Sequence, residues 1–136
     1  MQLILVLALA FDLASIKSEP NLEKRSELAL TNANMALDSA RAAYNRGDLD
    51  LTQSNLDEVR ESVDLAYESL SDTGKDPRKD KFFKNAELRT RALLRRLEGL
   101  GETMSFADRG IVEKVRDRVS EIHDDLLKGI MSRKKK

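Results

Sequence analysis

Imidazole is the side chain whose unperturbed pKa lies between about pH 5 and 8, and a thiolate is a ready nucleophile and metal ligand. The 136-residue chain offers one histidine, His123, and no cysteine. That excludes a cysteine nucleophile, a thiolate metal site and a disulfide scaffold. A metal at His123 would have to take its other ligands from Glu121, Asp124 or Asp125. Adjacent residues on a helix point about 100° apart, so they do not readily close on one ion. Neither a nucleophile elbow nor a Gly-rich phosphate loop is present. No cofactor and no metal are expected.

Two arginines precede His123, Arg118 with four intervening residues and Arg116 with six. Seven positions make nearly two helical turns, so Arg116 and His123 return to almost the same face. The pattern resembles the Arg-to-His element of HEPN-type ribonucleases, which are all-α and carry it on a late helix. The resemblance implies dimeric RNA cleavage, with His123 as acid and base and Arg116 or Arg118 steadying the phosphate. This is one alternative function.

Charge supplies the other candidate. The chain has 24 basic and 24 acidic side chains and no net charge, which argues against a globally basic nucleic-acid binder. The balance is uneven along the sequence. Residues 17–74 carry 6 bases and 12 acids, residues 75–96 carry 9 bases and 3 acids, and residues 97–131 carry 5 and 8. The basic stretch opens on Lys81-Phe82-Phe83-Lys84 and continues through Arg89, Arg91, Arg95 and Arg96. It either packs beside acidic neighbours or offers a strip to an anionic surface such as phospholipid, polysaccharide or nucleic acid.

Long amphipathic helices must position these groups. Apolar and small residues recur at steps of three and four, and no stretch alternates with period two long enough to make a strand. The first seam runs Leu22, Ser26, Ala29, Ala33, Ala36, Ala40, Ala43, with Leu30, Leu37 and Tyr44 beside it. Pro20 is expected in its first turn and Gly47 as its stop. The second seam runs Leu49, Thr52, Leu56, Val59, Val63, Ala66, Leu70, capped by Asp48 or Asp50. Asp76-Pro77 is expected to open a third helix along Phe83, Ala86, Thr90, Leu93, Leu97, Leu100. Ser105 to Asp108 is expected as a capping box before a fourth along Val112, Val115, Val119, Ile122, Leu126.

Ala40 to Val59 resembles one tetratricopeptide-type hairpin, through Ala40, Ala43, Tyr44, Gly47-Asp48-Leu49, Leu56 and Val59. Thr52 stands where that pattern has alanine, and the unit does not recur, so a generic helical hairpin is expected. Four helices of matched length predict an all-α, antiparallel (up-down) four-helix bundle over residues 16–131. Residues 132–136 then form a basic tail.

Leu3 to Ala10 is an unbroken apolar run, too short to span a bilayer but fitting the apolar region of a signal peptide. Residues 1–15 are read as that peptide, with cleavage near Ala10 or Ser15, which predicts a periplasmic or secreted protein. The leading expectation is therefore an exported, non-catalytic binding or structural module. Its partner would be another protein or a second copy, met through Leu30, Leu37 and Tyr44 or through Phe82 and Leu94, or an anionic surface.

Overall fold

The computed structural model describes residues 13–132, and the turn between its first two long helices shows how local signals stop one and start the next. The Asn21 side chain accepts the Lys24 backbone N–H at 3.0 Å and caps α2 (Leu22–Asn45). Pro20 therefore lies before the cap rather than inside the first turn. Gly47, at φ +80°, ends the helix, and the Asp48 N–H returns to the Ala43 carbonyl at 3.0 Å. Asp48 then caps α3 (Leu49–Asp72) by accepting from the Leu51 N–H at 3.0 Å. Three residues thus stop one helix and start the next.

The third helix begins later than the proline suggested. Asp76 accepts from the Arg78 N–H through its carboxylate, and its carbonyl takes the N–H groups of Lys79 and Asp80. One isolated turn results. Asp80 then caps α4 (Lys81–Thr103) weakly, 3.4 Å from the Phe82 N–H. The expected capping box at Ser105 is also replaced. A short 3₁₀ turn, Phe106–Asp108, leads into α5 (Arg109–Met131) without a side-chain cap. The Asp108 carboxylate instead accepts from the hydroxyls of Ser105 and Tyr44.

Packing follows the seams. α2 lies along α3, α4 along α5, and the two hairpins join through α2 against α4 and α3 against α5. α3 and α4, although consecutive, meet only lightly across the core. Arg89 reaches Glu27 and Thr31, and Arg96 reaches Asn34 and Asp38, so α2 and α4 run in the same direction. The chain is all-helical among the described residues, and none of those helices is long and apolar enough to cross a membrane.

The core takes nearly every seam position, including Ala29, Ala33, Ala40 and Ala43, all fully buried. Leu30 and Leu37 are buried as well, so they form no exposed strip for a partner. Their position one residue beyond the alanine seam turns them inward between α2 and its neighbours. Tyr44, Phe82 and Leu94 are half-buried against the same core. A fifth, short helix, α1 (Leu13–Lys17), packs on α2 and buries Ile16. The apolar run Leu3 to Ala10 lies outside the described residues, as does the tail beyond Ser132.

Candidate functional site

His123 projects from α5 towards α4, where its Nε2 lies 2.7 Å from Glu87 Oε2. Arg91, one turn after Glu87, donates to the same oxygen from Nε at 2.9 Å and Nη2 at 2.6 Å. Both partners are largely enclosed, with side-chain exposures of 13% for His123 and 8% for Glu87. Burial alone would raise the Glu87 pKa, but the hydrogen bonds from His123 and Arg91 outweigh it and hold the carboxyl below its ordinary value. The acid within the basic helix is thus an internal anchor.

The arginines of the ribonuclease-like pattern part company. Arg116 pairs with Asp117 at 2.9 Å and lines a groove between α4 and α5 of about 590 Å³, beside Glu98, Glu102, Glu113 and Arg109. It shares the α4-facing side of α5 with His123, roughly 10 Å away along the axis at ~1.5 Å per residue. Arg118 faces α3 instead, bonded to Asp64 at 2.8 Å and to Glu121. Acidic partners hold both guanidinium groups above their ordinary pKa. His123 Nδ1 lies 3.8 Å from Asp124, and no group of three or more metal-ligating side chains forms among the described residues.

The basic residues of α4 divide into two sets. Arg89 and Arg96 turn towards α2, where Arg89 meets the Glu27 carbonyl and the Thr31 hydroxyl, and Arg96 meets Asn34 at 2.7 Å and Asp38. Burial lowers the pKa of Arg89, against an opposing pull from Glu27. Phe83 is buried in the core and gives nothing to a surface. Lys81, Lys84, Leu88, Arg91 and Arg95 remain exposed, and they recur at intervals of three, four, three and four residues. That spacing makes one straight stripe along the helix. Lys81 sits 5.3 Å over the Phe82 ring, which supports the start of the stripe.

Two features escaped the sequence reading. Glu87 had a visible signal in its spacing of four from Arg91, but its partner His123 lies 36 residues away. Leu88, 55% exposed, sits at the centre of the basic stripe and gives it an apolar contact point. No protein-family model, curated protein or solved structure matches this chain. The residues themselves therefore carry the functional assignment.

Proposed function

We propose that the chain is an exported helical module that works by binding an anionic partner through the outward face of α4, rather than by catalysis. One observation carries this reading. Arg89 and Arg96 are taken up by α2, while Lys81, Lys84 and Arg95 stay exposed around Leu88 with no acidic partner among the described residues. Three unpaired cationic side chains on one stripe attract an anion together, and the exposed leucine adds apolar contact area. His123 does packing work in this reading, because Glu87 already occupies its imidazole.

The architecture behind it is a four-helix bundle whose helices alternate up and down along the chain but whose ring order is α2, α3, α5, α4, so that α2 and α4 are parallel rather than antiparallel neighbours. Support comes from the helix registers, with Asn32 opposite Ser62 and Glu23 opposite Lys75 in one hairpin, and Glu87 opposite His123 and Gly101 beside Val112 in the other. Export rests on the apolar run Leu3 to Ala10. Cleavage near Ala10 would leave α1 whole, whereas cleavage after Ser15 would place a charged amine on the buried Ile16. N-terminal sequencing of the exported protein distinguishes the two.

Retention on heparin and on vesicles containing anionic lipid tests the binding reading. Wild type is expected to bind at low ionic strength and elute steeply with salt. Lys84→Gln with Arg95→Gln is expected to abolish retention while leaving the helical circular dichroism unchanged. Equal retention of both proteins would remove α4 as the binding face.

A further inference from the structure

Resting on the reading of α4 as an anion-binding face, we propose that its partner is the α3 face of a second copy, so that the chain associates head to tail. Exposed on α3 are Asp50, Ser54, Asp57 and Glu61, at intervals of four, three and four residues. They line a shallow acidic groove of about 460 Å³ together with Gln53 and Glu58. The α4 stripe of Lys81, Lys84, Leu88, Arg91 and Arg95 repeats with the same alternation. Both stripes are straight, and they span comparable lengths, roughly 17 Å and 21 Å at ~1.5 Å per residue. Two helices with that alternation can lie alongside each other with their side chains in register.

Position in the fold makes the contact intermolecular. α3 and α4 lie across the core from one another, each packed on α2 and α5. Their outer faces therefore look in opposite directions, and neither can neutralise the other within one molecule. The acidic face keeps most of its charge: Glu58 accepts from the Asn32 amide, and Arg60 lies 4.0 Å from Glu61, but Asp50 and Asp57 have no cationic partner among the described residues. On the α4 side, Arg91 is shared with Glu87, while Lys84 and Arg95 pair with no acid among the described residues. Because the two surfaces differ, the contact is heterologous, and every open chain of copies carries one free face at each end. Its charges are solvent-exposed, so the association is weak and sensitive to salt.

Sedimentation velocity on the purified protein provides the test. At low ionic strength the average mass is expected to grow with concentration past that of a dimer, and to return to the monomer value in high salt. Lys84→Gln with Arg95→Gln removes one face, and Asp57→Asn with Glu61→Asn removes the other. Each double variant alone is expected to associate about tenfold more weakly or not at all. Mixed in equal amounts, the two are expected to form a complex that stops at one copy of each, since only one complementary pair of faces survives. All four changes lie on exposed positions, and unchanged thermal melts confirm that folding is intact.

A wild-type protein that stays monomeric at low salt yet binds heparin through Lys84 and Arg95 would overturn this inference and leave the anion-binding reading standing. Failure of both assays would remove both. Association that persists in Asp57→Asn with Glu61→Asn would show that the α3 face is not the partner.

Discussion

In the first hairpin α2 and α3 meet over Ala29, Ala33, Ala36, Ala40 and Ala43, and their backbones stay close along the whole length. In the second, α4 and α5 meet over Phe83, Leu93, Leu97, Val115, Val119 and Ile122, and a groove of about 590 Å³ opens between them. Polar chemistry follows the spacing. Between the close helices the buried polar link is short, the Asn32 amide donating at 2.9 Å to the Ser62 hydroxyl and to Glu58. Between the wider pair, long side chains reach a buried carboxylate, Glu87, from both helices. Small seam residues leave no room for a charged network, whereas large ones separate the helices enough to house it.

The largest effects should come from forcing the close hairpin apart. Ala33→Leu and Ala40→Leu each add a branched side chain where both backbones are fixed, at an expected cost of about 1–3 kcal/mol. Urea denaturation should show a lower midpoint with unchanged slope. Ala92→Leu, on the exposed face of α4, should stay within about 0.5 kcal/mol. An Ala40→Leu protein as stable as wild type would mean that close approach is not what the alanines provide.

Acid should act on the wider hairpin. The Glu87 pKa is lowered from the ordinary 4.5, so its contribution is present above that value and lost as pH falls through the lower folded value. Glu87→Gln should cost about 1–2 kcal/mol near neutrality. It should also flatten the fall of melting temperature with acidification. If the variant and wild type lose stability in parallel below pH 4.5, the carboxylate is not the group responsible.

How far these differences can be read from the chain depends on their range. The seams were legible because burial repeats with the helix, and Ala29 to Ala43, Leu56 to Leu70 and Val112 to Leu126 all fell on the inner face. Gly47 and Asp48 were legible because stop and cap signals act within a few residues. Pro20 and Pro77 misled because a proline fits a turn before a helix as well as it fits the first turn. Arg89 and Arg96 were seen as basic, but nothing local said that they face α2 while Lys84 and Arg95 face outward. Their partners lie about 60 residues away in the chain, a distance no periodic pattern spans.

A smaller effect, unequal at two neighbouring glycines, bears on the second hairpin. A β-carbon at Gly99 would meet nothing within 4 Å, while one at Gly101 would lie 3.2 Å from Val112 Cγ1. Gly99→Ala should stabilise the protein by about 0.5–1 kcal/mol, because alanine loses less backbone entropy in a helix. Gly101→Ala should gain less or nothing, since α5 has to yield. Equal gains in thermal melts would mean that the helices are less tightly apposed at Val112 than at present.

The smallest effects should come from the polar clamps between the hairpins, and their smallness is informative. Arg96 holds Asn34 and Asp38 of α2, and Arg118 holds Asp64 of α3, so both bridge the junction. The charged partners at the two bridges are about one-third exposed or more, with Arg96 at 33%, Asp38 at 69%, Arg118 at 43% and Asp64 at 34%. Water and salt screen such pairs, and holding long side chains in place offsets much of the attraction. Arg96→Gln and Arg118→Gln should therefore each cost under about 1 kcal/mol, and less in high salt. Losses of several kcal/mol would mean that charge, rather than the shared apolar core, joins the hairpins. Near-neutral results would instead mark these arginines as register devices that select which helices lie side by side, leaving the core to supply the stability.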